Sequence, residues 1–344
     1  MPETPWREAI TAVRHRAMQV LTPGAGFTLT YVDTPQPRPG QVRVTVEACG
    51  VCHSDAAITA GDVPHVTFPL VTGHEIAGRI EALGDGVTGW GIGDRVAVGW
   101  YGGDCGYCDA CRGTAVMCTE PQIPGLAYAG GFADSVTVPA AALAPIPDVL
   151  SSAEAAPLAC AGVRVFTALR QSAARPGDLV AVVGLGGPGH LALQFAATMG
   201  LRTVSIGRGH GDAMAALELG ADIYLDTKTD DVGAALRDLG GAAVIVAIPT
   251  NTMMTCAAIK GLAEGGQVIV LSTTGTTLGH ALPGPKLEFG HWGGTAHDTR
   301  QTLEFAARNG VRPWVEQMPL EQAGTALTRM ASGQARFRMV LTTT

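Results

Sequence analysis

The sequence predicts an α/β protein with two domains, a β-rich domain followed by a doubly wound parallel sheet. The chain has 344 residues, more than one domain usually holds, and it is 47% hydrophobic and only 15% charged. From residue 18 to about residue 150, short valine-rich segments alternate with turns marked by Gly and Pro. Beyond Pro176, strand-like and helical segments alternate, and this order produces crossover connections and a parallel sheet with helices on both faces.

The individual elements follow from the periodicity of the apolar residues. Residues 42–46 and 93–98 are predicted strands of the first domain, and residues 1–15 are predicted to form a loose arm. In the second domain, strands and helices are predicted in alternation at 178–183, 190–199, 202–206, 212–219, 221–225, 232–239, 243–248, 253–263 and 267–271. The chain becomes helical again near residue 298 and ends in a strand at 337–341. The predicted domains are therefore 1–163 and 164–297, with 298–344 returning to the first.

A glycine-rich turn joins the first strand of the second domain to its helix. Its pattern is Gly184-x-Gly186-x-x-Gly189, with Gly187 and Pro188 between the last two named glycines. The first glycine permits a tight turn, the second lets the backbone approach a pyrophosphate, and the third allows close helix–sheet contact. The N-terminus of the helix would then face the phosphates. An ordinary strand–helix turn is the alternative, but the flanking strands and helix favour a Rossmann domain that binds a dinucleotide.

Four closely spaced cysteines predict a structural metal site. Cys105, Cys108 and Cys111 are separated by two residues each, and Cys118 follows after six more. Four thiolates at this spacing can surround a tetrahedral Zn²⁺ and leave no coordination position open. Because cysteines of cytosolic proteins stay reduced, a metal is favoured over the alternatives of a disulfide pair or reduced surface cysteines.

A second set of possible metal ligands is scattered along the chain. Cys52, His74 and Cys160 supply two thiols and an imidazole, and Glu75 adds a carboxylate. Each residue taken by itself is more often structural. Together, three protein ligands and one open position have the composition of a catalytic zinc site. We therefore predict two zinc ions per chain, one catalytic and one structural.

Charge and hydropathy exclude several kinds of partner. The net charge is −7 and no basic stripe is present to neutralise phosphates, so a nucleic-acid partner is not expected. No apolar run is long enough to span a bilayer, and residues 1–20 lack the apolar segment of a secretory signal. The protein is therefore expected in the cytoplasm, away from membranes.

The motifs and their order resemble those of the zinc-dependent alcohol dehydrogenases of the medium-chain dehydrogenase/reductase superfamily, on the bacterial alcohol and cinnamyl-alcohol side. The resemblance runs from about Arg16 to Thr343 and includes Cys-Gly-Val-Cys-His-Ser-Asp at 49–55, Gly-His-Glu at 73–75 and Gly-Leu-Gly-Gly-Pro-Gly-His-Leu at 184–191. It implies a GroES-like catalytic domain, a Rossmann cofactor domain and a cleft between them. The implied reaction transfers a hydride between a nicotinamide cofactor and a primary or secondary alcohol, or an aldehyde or ketone in reverse.

The resemblance also implies roles for residues around the metal. Cys52, His74 and Cys160 match the ligands of the catalytic zinc, and Glu75 matches an acidic residue that can approach or bind it. Asp55 matches the carboxylate that orients the ligand histidine.

Further roles are implied on the substrate and cofactor side. Ser54 matches the hydroxyl that hydrogen-bonds the substrate oxygen, and His53 matches a position near the cofactor pyrophosphate. Trp100 matches a bulky residue of the substrate pocket, with core packing as the alternative. Arg338 matches a cofactor-contacting arginine, with a solvated strand-end charge as the alternative.

Two positions depart from the family pattern. Many relatives carry a histidine five residues after the first zinc cysteine, where it ends a proton relay, whereas this chain has Ala57. The relay must therefore end in water or in another group. The gap between Cys111 and Cys118 is one residue shorter than usual.

The end of the second Rossmann strand predicts a preference for NADP(H). In NAD-binding relatives an acidic residue there hydrogen-bonds the adenosine ribose and repels a 2′-phosphate. This chain has Gly207 at that position, and the neighbouring Arg208 offers a permanently charged fork suited to phosphate. Ser205 or His210 could add a hydrogen bond. The alternative is that Arg208 is only a solvated loop charge and that the enzyme uses NAD(H).

Two other functions compete with this interpretation. One is a related medium-chain reductase acting on an activated C=C or C=N bond, and the other is a non-catalytic protein of the same fold. The presence of Ser54, His74, Glu75 and Cys160 favours alcohol–carbonyl chemistry. Because relatives commonly pair through their Rossmann sheets, we expect a homodimer or homotetramer that acts on a small-molecule substrate.

Overall fold

The computed structural model describes residues 13–113, 118–248, 252–271, 286–289 and 294–343, with 286–289 described by their backbone alone. The first part of the chain is mostly strand. Its elements in order are β1 (Arg14–Val20), β2 (Phe27–Asp33), β3 (Gln41–Gly50), α1 (His53–Ala60), β4 (Leu70–Val71), β5 (Glu75–Leu83), β6 (Arg95–Val98), β7 (Ser135–Pro139), β8 (Ala144–Pro145) and α2 (Ser152–Pro157). Val42, Val44 and Val46 of β3 are buried because alternate side chains of a strand face the same core.

The middle of the chain alternates between helix and strand. Its elements are α3 (Val163–Gln171), β9 (Leu179–Val183), α4 (Gly187–Thr198), β10 (Arg202–Gly207), α5 (Ala213–Glu218), β11 (Ile223–Asp226), α6 (Val232–Asp238), β12 (Ala242–Ala247), α7 (Thr252–Ile259), β13 (Leu262–Val270) and β14 (Lys286–Phe289). The six strands form one parallel sheet in the order β11-β10-β9-β12-β13-β14. This is the strand order of a dinucleotide-binding Rossmann sheet, so the predicted fold class is confirmed.

The last part of the chain comprises α8 (Ala296–Asn309), β15 (Val315–Pro319), α9 (Ala323–Ala331) and β16 (Arg338–Thr342). β16 pairs antiparallel with β3, in a sheet ordered β15-β16-β3-β5-β6-β8 with β7 also paired to β3. The end of the chain therefore adds two strands to the sheet of the first part. The residue limits proposed for the domains stay a prediction.

The cores lie inside the β-rich part and on both faces of the parallel sheet. Alternate residues of β9 point to opposite faces, so Val180 and Val182 pack with α4 whereas Leu179 and Ala181 pack with α6 and α7. None of the helices in the described ranges has the length and apolar character needed to cross a membrane.

Two predicted boundaries were wrong. The helix predicted over 253–263 ends at Ile259, because the Ala242 N–H bonds the Gly261 carbonyl and Leu262 already pairs in the sheet. Of the predicted arm, residues 1–12 lie outside the described residues, but Arg14 and His15 belong to β1 and pair with β2. Arg14 and His15 are polar and give no apolar alternation, so the beginning of this strand was not recognised.

His190 fixes α4 against the returning end of the chain. The imidazole is fully buried, its Nε2 accepts the Trp314 N–H at 3.2 Å, and its ring stacks on Phe337 with centroids 5.1 Å apart. Burial, assisted by the charge of Arg338, lowers the pKa of His190 to about 3. The imidazole is therefore neutral in the folded protein near neutral pH.

We expect the free energy of unfolding to fall as pH drops below about 6.5, in part because of His190. The histidine of the unfolded chain gains a proton near its ordinary pKa of 6.5, whereas folded His190 does so only near about 3. The His190 contribution is complete above pH 6.5 and is lost between these two values. His190→Gln keeps an acceptor for the Trp314 N–H but does not titrate, so urea titrations should show a flatter decline. His297→Gln, at an exposed site on α8, should follow the wild-type curve. Equal slopes for His190→Gln and wild type would contradict the assignment.

Candidate active site

Asp55 joins the two segments that carry the first predicted metal ligands. It is fully buried in the first turn of α1, and its Oδ2 accepts the Cys52 N–H at 2.9 Å, which caps the helix. Its Oδ1 accepts the Thr72 hydroxyl at 2.7 Å and the Gly73 N–H at 3.2 Å. The same oxygen lies 3.4 Å from His74 Nδ1. The carboxylate thus fixes Cys52, at the start of α1, relative to His74, just before β5.

His74 presents its other ring nitrogen to the predicted ligands. The side chain is fully buried, and among the described residues neither ring nitrogen makes a hydrogen bond of good geometry: Nδ1 has the Asp55 carboxylate at 3.4 Å, and Nε2 is left to the ligand cluster. A buried imidazole nitrogen without a partner is costly unless something else binds it.

Cys160 stands in an irregular helical turn. Residues Leu158–Gly162 between α2 and α3 form a π-helical segment, a geometry that is frequent at functional sites. Gly99, just after β6, allows this turn to approach, because a Cβ there would overlap the Ala159 carbonyl. The Cys160 thiol reaches Cys52, and this hydrogen bond lowers the pKa of Cys52 and raises that of Cys160.

The predicted catalytic ligands therefore meet in one place. The ligand atoms of Cys52, His74, Glu75 and Cys160 all lie within 4.8 Å of one another, and only Cys52 is not fully enclosed. Two thiols, an imidazole nitrogen without a partner and a carboxylate are a donor set that suits Zn²⁺. The side chains present fit the metal that the sequence predicted.

Glu75 and Arg338 form a buried ion pair beside this cluster. Both carboxylate oxygens accept from the Arg338 guanidinium, and the side chains are 0% and 5% exposed. Burial raises the pKa of Glu75 to about 7, although Arg338 acts in the opposite direction. A Cβ on Gly50 would overlap the Glu75 carboxylate, and one on Gly187 would lie 2.8 Å from Arg338 Nη1. Arg338 is therefore not a solvated charge: it reaches from the cluster to the glycine-rich turn.

Three further predicted residues surround the cluster. The edge of the Trp100 ring meets His74, with centroids 4.8 Å apart and planes at 86°, so the indole borders the site and is only partly buried. Ser54 is half-buried, and its Oγ lies 3.9 Å from the Cys52 sulfur. His53 is exposed at the first position of α1.

The glycine-rich turn has the geometry that its sequence predicts. Gly184 ends β9 with φ of +90°, a conformation that favours glycine. A Cβ on Gly189 would overlap the Gly184 carbonyl, so the helix approaches the turn more closely than any side chain allows. α4 begins at Gly187, with Pro188 in its first turn, where no donor is needed from proline. The N-terminus of α4 therefore lies directly after this turn, as the predicted pyrophosphate site requires.

Of the three residues predicted to contact a 2′-phosphate, two are exposed and one is buried. Arg208 and His210 are exposed, whereas Ser205 is fully buried within β10 and its Oγ has no partner among the described residues. The loop that follows Gly207 therefore presents Arg208 and His210, but not the Ser205 hydroxyl.

The four clustered cysteines also converge. Cys111 Sγ lies 3.8 Å from Cys105 Sγ and 3.5 Å from Cys108 Sγ, and Cys118 Sγ accepts the Cys105 N–H at 3.4 Å. A tetrahedral site with Zn–S distances of about 2.3 Å has sulfur atoms about 3.8 Å apart. The short gap before Cys118 does not prevent the thiols from meeting, and their arrangement fits a structural zinc.

Sequence reasoning missed Thr72, Gly50 and Gly99. Thr72 binds the Asp55 carboxylate, and the two glycines make room for Glu75 and for the turn that carries Cys160. Thr72 lies directly before Gly73-His74, so its position beside a ligand motif was a usable signal. The glycines gave none, because their function depends on residues distant in the sequence.

Known proteins resemble the chain over almost its whole length. Residues 38–148 match the alcohol dehydrogenase GroES-like domain, and residues 187–308 match the zinc-binding dehydrogenase family. The alcohol dehydrogenase patD of Penicillium expansum is 41% identical over 93% of this chain and 95% of its own. An alcohol dehydrogenase of Geobacillus stearothermophilus is 37% identical over 90% and 94%. A solved structure described as an NAD-dependent alcohol dehydrogenase is 26% identical, with a TM-score of 0.85 over 96% of this chain and all of the other (100%).

Proposed function

The chain belongs to the zinc alcohol dehydrogenases of the medium-chain dehydrogenase/reductase superfamily, and we propose that its catalytic centre is the cluster of Cys52, His74 and Cys160. Its reaction is the interconversion of alcohols with aldehydes or ketones, with a nicotinamide cofactor. The observation that carries the proposal is the meeting of these ligand atoms, together with Glu75, within 4.8 Å.

Zinc held by Cys52, His74 and Cys160 would act as a Lewis acid, lowering the pKa of an alcohol or polarising a carbonyl. Asp55 orients the His74 ring by its contact with Nδ1, so that Nε2 faces the ligand cluster. Ser54 lies beside Cys52 at the mouth of the cluster, where its hydroxyl can hold the proton of a substrate alcohol. Ala57 carries no ionisable group, so a proton leaving Ser54 passes to water or to another group.

The side chains near the cleft orient the substrate and the cofactor. Trp100 packs against His74 and forms an apolar border for the substrate. The N-terminus of α4 is proposed to face the cofactor pyrophosphate, with the Arg338 guanidinium beside Gly187 and with His53 exposed at the start of α1. The Rossmann domain thus orients the nicotinamide, and the residues of the first domain bind the reacting oxygen.

A panel of alcohols, aldehydes and enals tests the proposed reaction, with metal analysis on the same sample. We expect cofactor-coupled turnover of alcohols and their carbonyl products, no reduction of the enal C=C bond, and two zinc ions per chain. Reduction of C=C without any alcohol oxidation would contradict the proposal. We also propose that the protein is a cytoplasmic homodimer or homotetramer.

The preferred cofactor is proposed to be NADP(H). The loop after β10 carries an exposed Arg208, and it has Gly207 at the position where an acidic residue would repel a 2′-phosphate.

Arg208→Ala is expected to lower kcat/KM for NADP(H) by roughly tenfold or more and to leave kcat/KM for NAD(H) nearly unchanged. A lost charge-assisted contact to a phosphate is worth about 1.5–3 kcal/mol. Steady-state kinetics with both cofactors measure the effect. Arg202→Ala, at the exposed start of β10, is a matched control that should change neither value. A wild-type preference for NAD(H) would show that the interpretation of the loop is wrong.

A further inference from the structure

The loop after β10 is fixed by residues of the neighbouring strand, β11. Gly207 pairs with Asp226 across the two strands. Beyond that pair, Asp226 Oδ1 accepts the Gly209 N–H at 2.6 Å and the Lys228 N–H at 3.0 Å, and the Tyr224 hydroxyl donates to the Gly209 carbonyl at 2.6 Å. Both backbone groups of Gly209 are therefore bonded to the β11 side. These hydrogen bonds fix the conformation of the loop, and Arg208 is exposed on it.

Lys228 lies against this turn. A Cβ on Gly209 would stand 3.5 Å from Lys228 Nζ, so the ammonium is in contact range of the residue next to Arg208. Lys228 is exposed, and among the described residues no carboxylate oxygen lies within 4.0 Å of its Nζ. Its ammonium is exposed and is not held in an ion pair among the described residues, so a ligand can reach it.

Two carboxylates, Asp212 and Asp226, lie close to Tyr224 and the loop, and Asp226 is already engaged by the backbone. Asp226 is buried, and its two backbone hydrogen bonds, first from Lys228 and then from Gly209, lower its pKa. Its other oxygen lies 3.9 Å from His210 Nε2. Asp226 therefore stabilises the turn by accepting hydrogen bonds from its backbone. The exposed side chains around the turn include Arg208, His210 and Lys228. A phosphate monoester carries a charge of about −1.5 to −2 near pH 7, more than one guanidinium neutralises.

Tyr224 also controls what can stand at position 207. A Cβ on Gly207 would overlap the Tyr224 hydroxyl and lie 2.8 Å from its Cζ. The space in which an acidic side chain would begin is thus occupied by a phenol that supports the loop.

We propose that Lys228 is a second cationic ligand of the cofactor's 2′-phosphate, and that Tyr224 is the positioning residue that presents Arg208 beside it. The inference rests on the proposed preference for NADP(H). It adds residues at the end of β11 to the phosphate site formed by the loop after β10.

Binding of 2′,5′-ADP and of 5′-AMP, measured by calorimetry on the whole protein at low salt, tests the proposal without turnover. Wild type should bind 2′,5′-ADP more tightly. Lys228→Met should weaken 2′,5′-ADP binding by about tenfold and leave 5′-AMP binding unchanged, because only the former carries the phosphate. Lys228→Arg should restore most of the affinity. Lys260→Met removes the same charge from an exposed site elsewhere and should bind both nucleotides like wild type.

Tyr224→Phe keeps the ring but loses the bond to Gly209, so it should also weaken 2′,5′-ADP selectively. If Arg208→Ala weakens 2′,5′-ADP and Lys228→Met does not, Lys228 is not a ligand although the preference for NADP(H) stands. If wild type binds the two nucleotides equally, the preference and this inference both fail. Equal loss of both nucleotides in Lys228→Met would indicate damage to the loop and would overturn the phosphate assignment.

Discussion

Cys160→Ala is expected to reduce turnover by well over 100-fold and to lower the zinc content from two ions per chain to about one. The reason is that Cys160 is one of three protein ligands proposed for the catalytic zinc, and its thiol also lies against that of Cys52. Loss of a residue that merely orients a ligand costs about 10–100-fold, and loss of a ligand itself costs more. Steady-state kinetics and metal analysis on the same preparation measure both effects.

The matched control for this variant is Cys256→Ala, a half-buried cysteine on α7 that belongs to neither cluster of ligand residues. It should keep wild-type turnover and two zinc ions. Because Cys160 sits in a π-helical turn and not in a sheet, the circular dichroism of Cys160→Ala should match that of wild type. Substantial turnover in Cys160→Ala, or in metal-free wild type, would refute the proposed site.

Cys111→Ser is expected to remove the second zinc and to lower Tm by on the order of 10 °C. The segment from Cys105 to Cys118 contains no helix or strand among its described residues, and its four cysteines are only partly buried. With little apolar burial to order it, the segment depends on the metal for its structure. Because the entropy of unfolding grows with chain length, each kcal/mol lost shifts the Tm of a 344-residue chain by roughly 1–2 °C, so a loss of several kcal/mol gives a change of this order. Calorimetry and zinc analysis measure it.

Tyr107→Phe is the control within the same segment, since it removes only an exposed hydroxyl bonded to Glu120. It should change Tm by no more than a degree or two and keep two zinc ions. At low temperature Cys111→Ser should still turn over substrate, because the zinc that it loses has a structural and not a catalytic role. A single zinc in fully loaded wild type would contradict the second site.

The sequence predicted most of the fold because periodicity and glycine placement are local signals. The Gly184–Gly189 turn identified the strand before it and the helix after it, and the alternation of strands and helices indicated a parallel sheet. The beginning of β1 and the end of α7 were not predicted. In both cases the boundary is decided by pairing with a distant strand, which Arg14 or Leu262 does not reveal in its own sequence context.

The residues of the site also divide into those that local sequence indicated and those that only the structure revealed. Residue type and resemblance indicated Cys52, His74 and Cys160, and the structure brings them together. The bracing of Arg208 by Tyr224 and Asp226 could not be predicted, because it depends on which side chains of β11 face the loop. The Glu75–Arg338 pair likewise required the geometry, since its members are far apart in the chain.

The missing side chain at Gly50 sets a limit on how this protein can vary. Position 50 is extended backbone at the end of β3, where any residue could adopt the conformation, yet even a methyl group would meet the Glu75 carboxylate. In a library of random variants, substitutions of Gly50 should therefore be depleted as strongly as substitutions of a metal ligand, although Gly50 takes no part in the chemistry. Directed evolution of this scaffold toward new substrates would do better to leave Gly50 unchanged and to diversify Trp100, which borders the same site from the open side.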